Sequence, residues 1–143
     1  MERAKEIVLD ASVAVKWFSK EEDADLAIGI RDEHAAGRLT IVSPDLLLYE
    51  VSNALRYNPG FGADDVRGAI KDLMDLDLDL VPPNGEILGN AIEHAVKRNI
   101  TVYDSCYLGL AESMGIEFVT GDKKLYRRIK DLGFVKSLKS FSV

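Results

Sequence analysis

Asp10, Glu50, Asp104 and Asp122 are far apart in the chain but sit where an α/β fold can gather side chains. The apolar run Ile7-Val8-Leu9 stops at Asp10, and Phe118-Val119 leads through Thr120-Gly121 to Asp122. Asp104 stands at the N-cap of a helical stretch over 105–114, and Glu50 lies inside a helix with Asn53 at i+3 on its face. Brought together, these four would concentrate negative charge with no obvious internal cation. Like charges that close resist ionising, and the cluster is costly unless a hard ion such as Mg2+ or Mn2+ binds it. Each acid alone also has a plainer reading. Asp10 and Asp104 suit helix caps, Asp122 a turn, and Glu50 a surface charge.

The elements that must position these acids alternate. Strand-like runs fall at 7–9, 39–42, 76–81, 116–120 and 134–138, with 100–102 readable as strand or loop. Helical patterns fall at 13–18, 21–36, 44–57, 64–75, 86–98, 105–114 and 123–132. Ser12 is placed to cap the first helix, and Pro44 suits the first turn of the third. Gly37, Asn58-Pro59-Gly60 and Gly115 act as stops. Strands alternating with helices predict an α/β chain with a central, mostly parallel sheet covered on both faces. Ligands then collect beyond the carboxyl ends of the strands, where Asp10 and Asp122 both point. No linker, repeat or low-complexity segment interrupts residues 1–143, so one domain is expected.

Composition narrows the class. Of 143 residues 47% are hydrophobic, enough for one sizeable core, and the charges are too interspersed for disorder. No apolar run is long enough to span a bilayer, and the charged start Met1-Glu2-Arg3-Ala4-Lys5-Glu6 leads into no signal-peptide stretch. A lone Cys106 excludes a disulfide framework and a cysteine zinc cage, and the cytoplasm is the expected compartment. The net charge of −6 argues against holding nucleic acid by overall attraction. Yet Lys123, Lys124, Arg127, Arg128, Lys130, Lys136 and Lys139 make the C-terminal stretch locally basic.

The order of the acids and the sequences around them carry more than any acid alone. Val8-Leu9-Asp10-Ala11-Ser12-Val13-Ala14-Val15-Lys16-Trp17 comes first, then Pro44-Asp45-Leu46-Leu47-Leu48-Tyr49-Glu50-Val51-Ser52-Asn53. Tyr103-Asp104-Ser105-Cys106-Tyr107-Leu108-Gly109 and Val119-Thr120-Gly121-Asp122-Lys123-Lys124 complete the set. Together they resemble the PIN-domain ribonucleases, particularly the VapC-type toxins of prokaryotic toxin–antitoxin pairs. The resemblance implies a three-layer α/β/α PIN-like fold and a metal-dependent endoribonuclease. It makes Asp10, Glu50, Asp104 and Asp122 the acids that hold Mg2+ or Mn2+, with Ser12, Asn53 and Thr120 as polar neighbours. It further implies a homodimer and an antitoxin partner, for which the apolar faces of the 43–57 and 64–75 helices are candidate contacts. A housekeeping RNA-processing nuclease and a non-catalytic binding module are the alternatives.

The chemistry suits the residue types. Metal ions activate water and relieve charge at phosphorus, and carboxylates supply their ligands, so no catalytic His is required. Asp10 and Asp104 are expected as direct ligands, with Glu50 and Asp122 acting through water or on a second ion. Lys16, Lys123, Lys124, Arg127 and Arg128 are placed to hold the RNA backbone beside the scissile bond. Other features read as structure. Asp75, Asp77, Asp79 and Glu86 imitate a calcium loop but lack its glycine, and the alternating leucines fit a strand better. His34 and His94 read as boundary residues, and Trp17 as core or interface.

Overall fold

In the computed structural model, residues 4–143 are described; Met1-Glu2-Arg3 of the charged start lies outside the described residues. Five parallel strands form one sheet in the order β3-β2-β1-β4-β5: β1 Lys5–Leu9, β2 Leu39–Pro44, β3 Asp79–Val81, β4 Glu117–Thr120 and β5 Val135–Ser137. The α/β expectation therefore holds, and every strand pair is parallel. Parallel pairing requires crossover segments, and helices supply them: α1 Ala11–Ala14, α2 Ala24–Ala35, α3 Leu46–Arg56, α4 Ala63–Asp75, α5 Gly85–Arg98, α6 Val102–Met114 and α7 Lys123–Ile129. The central strand is buried on both faces, and Ile7, Val8 and Leu9 have no exposed surface. That is why it reads as an unbroken apolar run instead of an alternation.

The core around β1 joins Ile41 and Val42 of β2, Phe118 and Val119 of β4, and Tyr107, Leu108 and Ala111 of α6. The Tyr107 and Phe118 rings stack at 6.1 Å between centroids. Trp17 is a core residue whose indole N–H donates to the Ala27 carbonyl at 2.7 Å. His34 ties two segments together. Its Nδ1 accepts the Ile41 N–H at 3.0 Å, and its Nε2 lies 2.9 Å from the Leu76 carbonyl. α5 and α6 form an antiparallel hairpin at very close approach. A Cβ on Gly109 would meet the Ile87 carbonyl oxygen at 2.5 Å and the Ala91 nitrogen at 3.0 Å, so only glycine fits this seam.

Several expected boundaries shift, each for a local reason. Pro44 ends β2 and does not open α3. The expected strand at 76–81 shrinks to Asp79–Val81, because Asp77 adopts a left-handed conformation (φ 54°) that breaks the extended run. The helix expected from residue 21 begins at Ala24, after a second left-handed residue, Asp23 (φ 64°). The first helix splits into α1 and a 3-10 turn, Val15–Trp17. Residues 100 to 102 pair with no strand, and α6 starts at Val102. Its N-cap is Thr101, whose hydroxyl accepts the Asp104 N–H at 3.0 Å, so Asp104 is a first-turn residue and not the cap. Among the described residues no helix is long and apolar enough to cross a membrane.

Candidate active site

The site is built where β1 and β4, neighbours in the sheet, both end. Beyond Leu9 the chain turns into α1, and the Asp10 carbonyl accepts the Val13 and Ala14 N–H groups. Asp10 thus stands at the N-cap position, but its carboxylate makes no capping bond. It points instead at two hydroxyls. Oδ1 accepts from Ser12, and Oδ2 accepts from Thr120 at 2.6 Å. Ser12, expected both as a cap and as a polar neighbour of the acids, therefore serves the acid. Each hydroxyl also receives a backbone N–H from the turn after β4: Gly121 to Ser12 at 2.8 Å and Asp122 to Thr120 at 3.1 Å. With its acceptor side filled, each hydroxyl has its one proton free for Asp10. Gly121 sits tightly here, since a Cβ would lie 3.3 Å from the Ser12 Oγ and 3.2 Å from Lys16 Cε.

Asp10 is 6% exposed. Burial, opposed by the Ser12 and Thr120 hydrogen bonds and reinforced by the charges of Asp104 and Asp122, raises its carboxyl from about 3.8 to about 7. Asp104 is raised by burial and by Asp122, against the pull of its bond with Thr101. Glu50 is raised by burial and by Asp104, while a hydrogen bond from Tyr107 opposes the shift. Asp10 therefore feels Asp104 and Asp122, Asp104 feels Asp122, and Glu50 joins the group through Asp104. None of them forms an ion pair among the described residues, where twelve other pairs do form.

Their settings differ. Glu50, half-buried on α3, accepts the Tyr107 hydroxyl at 2.6 Å. Tyr107 is 1% exposed, and proximity to Glu50, Asp10 and Asp104 together with burial keeps its phenol protonated far above the ordinary range. Asp122 is exposed, and its Oδ1 caps α7 by accepting the Lys124 and Leu125 N–H groups at 3.0 Å each. Asn53 is exposed and makes no side-chain hydrogen bond among the described residues, so no recorded contact draws it into the cluster. Tyr107 escaped the sequence reading. Its signal was the i+3 spacing from Asp104, which puts both on one side of α6.

The cations divide along α7. Lys123 and Arg127, one turn apart, line a cavity of about 230 Å3 with Tyr126, Lys139, Thr120 and Asp122. Lys124 and Arg128 line a cleft of about 380 Å3 on the other side, with Asn99, Thr101, Asp104 and Asp122. Asp122 is common to both. Lys16 is largely buried, and its ammonium donates to the Glu22 carbonyl at 2.8 Å and lies 3.8 Å from the Glu21 carboxylate.

Among the described residues no three His, Cys, Asp or Glu side chains are already gathered closely enough to hold a metal ion. The donor set nevertheless fits a hard divalent ion: carboxylate oxygens only, mutually repelling and without a counter-charge. Mg2+ takes one or two carboxylates and keeps several waters, so it does not require a closed protein cage.

Comparison with known proteins places the chain among relatives. The chain is 30% identical over 131 residues to Ribonuclease VapC3 of Pyrobaculum aerophilum, covering 88% of this chain and 96% of that protein. It is 31% identical over 93 residues to Exonuclease VapC9 of the same organism, covering 65% of this chain and 70% of that one. Its fold matches VapBC2 of Rickettsia felis, solved with a DNA fragment from its promoter, at a TM-score of 0.67 and 14% identity, over 92% of this chain and 98% of that one. A PIN-domain sequence model matches residues 7–131, which takes in all four acids, and the chain belongs to the PIN-domain family.

Proposed function

We propose that this chain is a one-domain, divalent-metal-dependent endoribonuclease that serves as the toxin of a toxin–antitoxin pair in the cytoplasm. The observation that carries the chemistry is the acid cluster: Asp10, Glu50 and Asp104 are each raised by burial and by a neighbouring acid, Asp122 lies beside them, and none of the four forms an ion pair among the described residues. Asp10 and Asp104 would hold Mg2+ or Mn2+ directly, with Glu50 and Asp122 supporting through water or at a second ion. When bound, such an ion supplies a water acidic enough to act as nucleophile and offsets charge building at phosphorus.

The chain's own residues supply position. Ser12 and Thr120 hold both oxygens of Asp10, which fixes the carboxylate plane before any ligand arrives. Tyr107 holds one oxygen of Glu50 and leaves the other free. Lys124 and Arg128, in the cleft shared with Asp104 and Asp122, are placed to take RNA phosphates flanking the scissile bond. These contacts are electrostatic and do not select a base sequence.

The toxin reading draws on the VapC-named relatives and on a fold shared with a VapBC assembly. Tyr49 on α3, Tyr57 just after it and Met74 on α4 are exposed, which suits a second copy and an antitoxin as partners. A relative named as an exonuclease makes end-dependent cleavage the competing reading. Incubation of circular and linear single-stranded RNA with the chain, in Mg2+ and in EDTA, separates the two. Cleavage of both forms in Mg2+ only, lost in Asp104→Asn, is expected. Cleavage of linear RNA alone would make the chain an exonuclease, and metal-independent cleavage retained by Asp104→Asn would end the assignment.

A further inference from the structure

Between the 3-10 turn and α2, the stretch Glu21-Glu22-Asp23 runs against the nearby Lys16 and two lysines from distant parts of the chain, Lys123 and Lys139. Glu22 Oε2 lies 3.2 Å from Lys123 Nζ, and Oε1 lies 3.1 Å from Lys139 Nζ. Asp23 adds a contact to Lys139 at 4.0 Å, and Lys16 holds the Glu22 carbonyl from behind. The hydrogen bond from Lys139, then that from Lys123, keeps the Glu22 carboxyl below its ordinary range. Asp23 turns in the left-handed region, which non-glycine residues seldom adopt, so the backbone alone does not favour this path.

The two lysines of the clamp and Asp23 line the 230 Å3 cavity together with Asp122 and Thr120 of the acid site. A carboxylate with one oxygen on each of two lysines presents the same charge and bite as the two non-bridging oxygens of a phosphodiester. Glu22, Lys123 and Lys139 are all more than half exposed, so these ion pairs are weak and readily exchanged. On the opposite side of α7, Lys124 and Arg128 carry no ion pair among the described residues.

From this we infer that Lys123 and Lys139 form a phosphate-binding position next to the acid cluster, filled by Glu22 in the free chain and yielded to an RNA backbone phosphate on binding. The inference rests on the ribonuclease reading above. An anion already occupies the position, so a lone small anion gains little there. An RNA anchored along Lys124 and Arg128 presents its next phosphate at high local concentration and displaces Glu22. Tyr126, half-buried in the cavity wall, then offers a ring face to the neighbouring base.

The test is fluorescence anisotropy with a labelled single-stranded RNA in EDTA, with RNA cleavage in Mg2+ measured in parallel. Glu22→Gln is expected to tighten RNA binding by roughly threefold to tenfold, since two surface ion pairs no longer compete. The gain should vanish in the Lys123→Ala, Lys139→Ala background, which makes the effect a coupling and not a sum. Asp75→Asn, which breaks a surface pair with Lys71 on α4, controls for bulk charge and should change binding little. An unchanged Kd in Glu22→Gln, or an equal gain in the double-lysine background or in Asp75→Asn, overturns the inference. If cleavage persists in that case, the ribonuclease reading survives; absence of cleavage by the unaltered chain would overturn that reading instead.

Discussion

Asp10 and Asp122 occupy matching places and do opposite work. Each lies in the turn after a central parallel strand, and each stands at the N-cap of the next helix. Asp122 uses one carboxylate oxygen to cap α7, a contact worth about 1 kcal/mol, and remains exposed. Asp10 forgoes the equivalent bond on α1, is buried, and is held by two hydroxyls. One acid accounts for itself structurally. The other costs stability twice, by burying a charge and by leaving a cap unmade. The contrast teaches which of two similar-looking residues the fold holds ready for a ligand: the one with no structural return.

Asp10→Asn should have the largest effect. Cleavage should fall to background while the metal-free protein becomes more stable near neutral pH. The sign follows from linkage. With its carboxyl near 7 in the folded chain and about 3.8 unfolded, the native state binds more protons between those values. The Asp10 contribution to metal-free stability should therefore be fully present below about pH 4, fall as pH rises to about 7, and be lost above. At about 1.4 kcal/mol per pH unit, Asp10 contributes at most about 4 kcal/mol to that loss. Glu50 and Asp104, also raised, add to the slope. Thermal melts in EDTA from pH 5 to 8 should show a much flatter profile for Asp10→Asn, and Mg2+ or Mn2+ should restore the unaltered protein at pH 8. Superimposable profiles for the two proteins would remove Asp10 as the strained acid.

Thr120→Val should have the next largest effect. It keeps the shape but removes the proton donated to Asp10 and the acceptor of the Asp122 N–H. Cleavage should fall by about 10- to 100-fold, as for groups that orient metal ligands. The Asp10 midpoint in the melt profile should also move upward, because a bond favouring the charged form is gone. A loss of stability without that upward movement would reduce Thr120 to a structural bond.

Asp122 should give the smallest stability change and a diagnostic split. Asp122→Ala should cost about 1 kcal/mol through the α7 cap, and Asp122→Ser, which can still cap, should recover most of it. Cleavage should stay depressed in both. If serine restored cleavage with stability, Asp122 would be a cap alone.

Much of this was legible in the sequence, and the parts that were not share a cause. Ile7-Val8-Leu9 announced a strand buried on both faces, and Gly115 announced the end of α6, because both are local signals. The four acids were legible as candidates by type and place. Ser12 was legible as a neighbour of the acids only through the resemblance, since by type and place a serine two residues beyond a strand caps a helix as readily as it bonds a carboxylate. Only the pairing of β1 with β4 brings Thr120 and Gly121, over a hundred residues away, to decide it. Tyr107 lay hidden for the same reason: its partner Glu50 is 57 residues back, on another helix. Thr101 was missed because Asp104 is the stronger capping residue by type, while the backbone places the threonine one turn earlier.

The glycine seam between α5 and α6 has a mechanical consequence. With no side chain between them at Gly109, the two helices have no compressible layer and behave as one stiff strut. Asp104 rides near one end of that strut, five residues from the contact. The outward face, where Ile92 and Val96 are exposed, is free to vary in sequence without tilting the strut. The inner seam accepts a single residue type. A methyl group there would pry the helices apart and swing an acid well over a helical turn away, so Gly109 sets the alignment of a site it never touches.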